Sequence, residues 1–241
     1  MNRNLTEVTS VAMLQRLRAG NEPGVVLAAE GADFLEGDLK RLETMRAKNV
    51  VHVQLVHYRV SEVGDISTAM PVHGGLTAFG KDVVRECNRL GILVDVAHCT
   101  QDGMAQALEV SSKPLVYSHG HVTAATPHWA NGTRRARAIS TAMAKRVAEK
   151  GGVIGMWTPR SQYRTFDGYV DALVETAGIL GAQHVGVGTD IAGIPGGSVV
   201  PTYDDFALLD EALAKRGVSA TDIAAILGGN YLRVLAQALV A

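Results

Sequence analysis

Along this chain, short continuous apolar runs alternate with stretches in which apolar residues return every three or four positions. The runs cover residues 25–29, 50–56, 92–96, 115–117, 153–157 and 184–188. Continuous rather than alternating apolar character marks strands buried on both faces, as in a parallel sheet covered by helices. Helical spacing fills the segments between them: 36–49 ("EGDLKRLETMRAKN"), 79–91 ("FGKDVVRECNRLG"), 100–112 ("TQDGMAQALEVSS"), 140–152 ("STAMAKRVAEKGG") and 169–182 ("YVDALVETAGILGA"). Strand and helix in repeated succession predict an α/β fold with a parallel sheet inside and helices outside. Asn49, Gly91 and Gly152 stand where helices should stop, because Gly and Asn tolerate the left-handed backbone of a helix C-terminus. Residues 203–239 predict two further helices, the second opened by Ser219 or Thr221. No linker or repeat divides the pattern, so residues 1–241 are expected to form one domain.

Composition narrows the function classes. Lys plus Arg is 23 against Asp plus Glu 24, a net charge of −1. No basic stripe offers itself to a phosphate backbone, which argues against a nucleic-acid partner. Cys87 and Cys99 are the two cysteines, too few for a disulfide framework and in keeping with a reducing compartment. The first residues lack the order of a signal peptide, and no apolar run reaches membrane-spanning length. The expectation is a soluble, cytoplasmic chain without a membrane segment.

The strand ends carry the chemistry. Glu30 follows "VVLAA", His57 follows "VQLV", His98 follows "LVDVA", His119 follows "LVYS" and Asp190 follows "VGVGT". In parallel α/β sheets and barrels the C-terminal edge of the strands is where βα loops converge and active sites are built. A single histidine there is usually structural; Glu, His, His and Asp together supply nitrogen and oxygen donors suited to zinc, with a position left open for water. His98 and His119 are therefore expected to meet at the sheet edge and hold a metal.

The motifs go further. "AAEG", "LVH" 27 residues after its Glu, "GGLTAFGKDVVRECNRLGILVDVAH", "PLVYSH", "HVGVGTD" and "GGNYLRVL" together resemble the membrane dipeptidase (renal dipeptidase, peptidase M19) family of the amidohydrolase superfamily. The resemblance runs from about Val25 to the C-terminus. It implies a TIM-barrel-like (β/α)8 metal-dependent hydrolase fold with a two-zinc site that hydrolyses dipeptides. By position, Glu30 matches the carboxylate bridging the two metals, and His98 and His119 match the histidines of the second. His57 matches the histidine that stabilises the oxyanion, and Asp190 the acid that handles a proton and meets the substrate amine. Arg137, in "NGTRRARAIS", matches the arginine that meets the substrate carboxylate; Arg135 is the alternative, two residues away.

The sequence also departs from the family. The first barrel strand of the family ends in a His-x-Asp pair that completes the first metal site, and no His-x-Asp occurs in this sequence. The chain opens at the helix before the third strand, so the barrel is expected to be incomplete, lacking its first two strands. One zinc, or a partial site, is expected in place of two. A second departure is Ala192, where the family carries another Asp. A gap in a barrel exposes unpaired backbone and apolar interior, which predicts self-association, a homo-oligomer. Two readings stand: a dipeptidase-like hydrolase, and an impaired remnant of the family that keeps part of a metal site. The other histidines read as structural: His52 facing a helix, His73 on a loop, His121 and His128 on a solvent-facing loop, His184 at the opposite edge. Cys99 is expected to pack behind the site.

Overall fold

The apolar runs form parallel strands. The computed structural model describes residues 5–239, in the order β1 (Thr6–Glu7), α1 (Val11–Ala19), β2 (Gly24–Val25), β3 (Leu27–Glu30), α2 (Lys40–Ala47), β4 (Val50–Gln54), α3 (Ala78–Leu90), β5 (Leu93–Asp95), α4 (Gln101–Val110), β6 (Val116–Thr123), α5 (Thr133–Ala136), β7 (Ala138–Ser140), α6 (Thr141–Glu149), β8 (Val153–Met156), α7 (Arg160–Tyr163), α8 (Phe166–Leu180), β9 (Val185–Val187), α9 (Phe206–Lys215), α10 (Ala220–Ala224) and α11 (Asn230–Leu239). The main sheet runs β3-β4-β5-β6-β8-β9, every pair parallel, with β7 attached to the outer part of β6. Among the described residues the sheet does not close: its path ends at β3 and β9. The six strands read from the sequence thus follow one another in chain order, as a barrel wall with a gap requires.

Local chemistry starts the helices that separate the strands. Thr77, Thr100, Ser140 and Thr165 are extended residues whose hydroxyls accept from the amide three positions on, in α3, α4, α6 and α8. Apolar faces of these helices and the outward face of the sheet make the larger core, with Val83, Cys87, Met104, Val147, Tyr169 and Leu173 among its buried members. A second cluster lies elsewhere. Leu93, Val116 and Val153, on three neighbouring strands, pack against Val234, Leu235 and Ala238 of α11 and Leu14 and Leu17 of α1. Just beyond Leu93 and Val116 on the same strand faces come Asp95 and Ser118, so this apolar layer underlies a polar one.

Four expectations need correction. The C-terminal tail is three helical segments, because a π-turn at Ala225–Gly229, with Gly228 at φ 143°, divides α10 from α11; Ser219 opens α10, its hydroxyl accepting from Asp222. The helix before β8 stops at Gly151 (φ 82°), not Gly152. The strand expected at 115–117 runs on to Thr123, since its outer half finds a partner in β7. His121 is therefore buried on that strand and not on a solvent-facing loop.

Candidate metal centre

Glu30, His57, His98, His119 and Asp190 lie at the C-terminal edge of the sheet, and Arg137 stands between α5 and β7. Glu30 ends β3, and His57 follows β4. His98 follows β5 in a left-handed turn (φ 66°), an uncommon conformation for a residue with a side chain. Backbone contacts hold that turn: Cys99 N–H donates to Val96, and Ser67 N–H, from the loop over the site, donates to the His98 carbonyl at 2.8 Å. Asp65 shapes this loop, its buried carboxylate accepting from the amides of Val72, His73 and Gly75. His119 lies where β6 loses register against β8 between Tyr117 and Gly120. Gly155 and Gly188 make room for this bulge, because a Cβ on either would fall on the Ser118 carbonyl oxygen.

Glu30 Oε1 faces three imidazoles. It lies 3.3 Å from His57 Nε2, 3.4 Å from His98 Nε2 and 3.7 Å from His119 Nε2, and the last two nitrogens are 2.9 Å apart. Donors at zinc distances of about 2.0–2.1 Å in tetrahedral arrangement stand roughly 3.3 Å from one another. The Glu30, His98, His119 triangle has edges of 3.4, 3.7 and 2.9 Å, so the residues present fit three corners of such a site. Asp190 (φ 47°) lines a cavity of about 260 Å³ together with Glu30, Gln54, Asp95, Ser118 and His119.

The electrostatics suit cation binding. Hydrogen bonding to His98, against the cost of burial and aided by the neighbouring imidazoles, holds Glu30 below the usual carboxylate range. Burial pushes His57 down, with the Glu30 charge opposing. His119 is lowered too, chiefly by burial, with Asp95 opposing. Glu30 kept ionised and His119 kept neutral are the protonation states a metal requires of them.

Arg137, not Arg135, belongs to this neighbourhood. Its guanidinium carbon lies 5.9 Å from the Tyr58 ring and 5.7 Å from the Trp157 ring. Tyr58 stacks on His57 at 3.6 Å and Trp157 lies 6.2 Å from His119. With the His119–His98 and His98–His57 contacts of 4.9 and 4.8 Å, these six side chains close into a ring. Arg135 is exposed on α5. Sequence reading missed Tyr58, four residues past the end of β4, Trp157, next to the end of β8, and the pair His52 and Asp95.

The remaining residues fall outside the cluster. His52 does face a helix, its Nδ1 3.0 Å from the Tyr231 hydroxyl of α11. His73 and His128 are exposed, and His184 Nδ1 bonds the Gly152 carbonyl. Cys99 is fully buried and burial raises its thiol, so it has no thiolate to offer.

A family model described as membrane dipeptidase (peptidase family M19) matches residues 1–241. The chain belongs to the membrane dipeptidase family. Among its relatives is the dipeptidase tcpJ of Claviceps purpurea, 29% identical over 222 residues, which cover 88% of this chain and 50% of the relative. An uncharacterized dipeptidase of Schizosaccharomyces pombe is 30% identical over 226 residues, 89% of this chain and 53% of that one. The chain thus spans about half the length of these curated relatives. Of solved structures, an amidohydrolase from Pseudomonas aeruginosa superposes with a TM-score of 0.84 at 23% identity, over 99% of this chain and 80% of its own. A Rhodobacter sphaeroides metallopeptidase, liganded with a phosphinate mimic of the dipeptide L-Ala-D-Ala, superposes at 0.85 with 21% identity, over 97% and 69%. These likenesses establish the TIM-barrel-like M19 fold, of which the sheet described above is an open arc. Among the described residues no helix is long and apolar enough to cross a membrane.

Proposed function

We propose that this chain carries one half of a dipeptidase centre, in which Glu30, His98 and His119 hold a single divalent ion, zinc by the nature of the donors. The observation that carries this reading is the triangle of one carboxylate oxygen and two imidazole nitrogens, delivered by three different strand ends with edges near those of tetrahedral coordination. When bound, the ion would lower the pKa of water toward neutrality and polarise the scissile carbonyl.

The protein's own groups divide the remaining work. His57 Nε2 donates to the oxygen on which charge develops, the Glu30 carboxylate 3.3 Å away favouring that N–H. Asp190, on the wall of the same cavity, takes a proton from water and returns it to the departing amine. Arg137 pairs with the terminal carboxylate of a short substrate, restrained by Tyr58 and Trp157. In this reading the substrate is a dipeptide or similar small amide, and the described residues are part of one barrel domain.

A specific observation favours a second reading, an impaired remnant. Residues 1–241 hold no His-x-Asp pair to complete a first metal site, and among the described residues the sheet ends unclosed at β3 and β9. A chamber of about 560 Å³ reaches both end strands, lined by Ala28 of β3 and Val187 of β9 together with Val116, Val153, Phe206 and Ile226. Losing a second Lewis acid costs several kcal/mol of charge stabilisation, roughly a hundredfold to ten-thousandfold in rate. Dipeptide hydrolysis by the 241 residues alone is therefore expected to be weak, abolished by chelator, and raised at least about a hundredfold when a segment bearing His-x-Asp is joined upstream. No gain on joining that segment, with two metals bound, would leave the remnant reading.

A further inference from the structure

Asp95 ends β5 and is 2% exposed. Its Oδ1 accepts hydrogen bonds from two backbone amides, that of Ala97 at 2.9 Å and that of Ser118 at 3.0 Å. Ala97 immediately precedes His98, and Ser118 immediately precedes His119. The second oxygen, Oδ2, lies 3.3 Å from His52 Nε2, and His52 Nδ1 lies 3.0 Å from the Tyr231 hydroxyl. One carboxylate oxygen therefore grips both strand ends that carry the histidines, while the other is braced through His52 against the C-terminal helix.

We propose that Asp95 is the positioning residue of the metal centre, setting through Oδ1 the separation at which His98 and His119 present their Nε2 atoms. The inference rests on the metal reading above. Its physical ground is that the ordinary ladder fails here. β5 and β6 share one ladder pair, Asp95 with Val116, followed by a last backbone bond from Val96 to Val116. Beyond it His98 turns left-handed and β6 bulges at Ser118 and His119. Regular pairing cannot hold two strand ends in register after both have left it, and a buried side chain that accepts from each does. A carboxylate buried merely to be satisfied could use any nearby donors; these two amides are the ones whose displacement would carry the ligands with them. His119 has a further tie, its Nδ1 2.8 Å from the Ser118 hydroxyl, so the residue Asp95 holds also orients the ring.

The test compares Asp95→Ala and Asp95→Asn in the 241-residue chain. Asn keeps an oxygen for both amides, and Ala keeps none. Zinc affinity is measured calorimetrically, donor geometry from the visible spectrum of the cobalt-loaded protein, and the metal-free imidazoles from ¹H–¹⁵N spectra. Asp95→Ala is expected to lose about ten- to a hundredfold in zinc affinity, change the cobalt spectrum and displace the His98 and His119 signals, while Asp95→Asn stays within about threefold. Unchanged affinity and imidazole signals in Asp95→Ala would overturn the proposal, as would an equal loss in Asp95→Asn, which would assign the effect to charge. If the parent chain binds no zinc, the metal reading falls and the imidazole signals of the metal-free variants decide the positioning role alone. Should Asp95→Ala not fold, Asp95→Asn decides it: a loss beyond about tenfold overturns the proposal, and retention supports it.

Discussion

The Nε2 atoms of His98 and His119 lie 2.9 Å apart although 21 residues of chain separate them. At that distance one imidazole N–H donates to the other nitrogen, and both nitrogens also face the Glu30 carboxylate oxygen, at 3.4 and 3.7 Å. Replacing either with alanine removes one of three donors. His98→Ala and His119→Ala should each weaken zinc binding by more than the roughly hundredfold typical of lost outer partners, with folding retained. Dialysis equilibrium checks this, and a variant that binds zinc as tightly as the parent would exclude that histidine.

Arg137 should act on substrate binding and not on the chemical step. A charge-assisted hydrogen bond is worth about 1.5–3 kcal/mol, so Arg137→Leu should raise KM about ten- to a hundredfold at nearly constant kcat. Arg135→Leu should do neither, since Arg135 is exposed. Dipeptides capped as C-terminal amides should show no such difference between parent and Arg137→Leu. Steady-state kinetics on the chain joined to a segment bearing His-x-Asp provides the measurement.

The bulge that aims His119 depends on missing side chains. Gly155→Ala places a methyl group on the Ser118 carbonyl oxygen, and overpacking of this kind costs about 1–3 kcal/mol. Urea unfolding should register that loss, and zinc affinity should fall with it. A stable Gly155→Ala variant with intact metal binding would show that the bulge can move without consequence.

What the sequence revealed followed from burial. Strands covered on both faces must be continuously apolar, so β4, β5, β8 and β9 were legible, and so was the edge on which Glu30, His57, His98, His119 and Asp190 gather. The outer half of β6 was not legible, because "SHGHVT" is polar and its partner β7 lies beyond a loop. Asp95 escaped notice inside "LVDVAH" because it read as part of an apolar run. The signal was there: an acid in a strand buried on both faces needs several donors, and its place three residues before His98 shows where they are. Tyr58 and Trp157 carried no local signal, since their relation to Arg137 exists only in three dimensions.

Acid should destabilise the metal-free chain in two stages. His57 and His119 titrate below their ordinary value of about 6.5. The unfolded chain therefore takes up protons that the folded chain refuses, and stability falls as pH drops through 6.5 toward the folded values. Burial pulls Asp65 and Asp95 upward, but the amides of Gly75, Val72 and His73 at Asp65, and the hydrogen bond and charge of His52 at Asp95, prevail and lower both. Their contribution is complete above about pH 4 and lost below it. Urea midpoints taken with chelator present should be flat between about pH 7.5 and 8, below the range in which the buried thiols of Cys87 and Cys99 ionise in the unfolded chain, and decline toward pH 4. A maximum near pH 5.5 would contradict these assignments.

Anomalous diffraction at the zinc edge, on crystals of this chain, would locate one ion held by Glu30, His98 and His119. A single peak is expected about 2.0–2.1 Å from Glu30 Oε1, His98 Nε2 and His119 Nε2. A zinc ion bound elsewhere, or none at that position under saturating metal, would contradict this assignment.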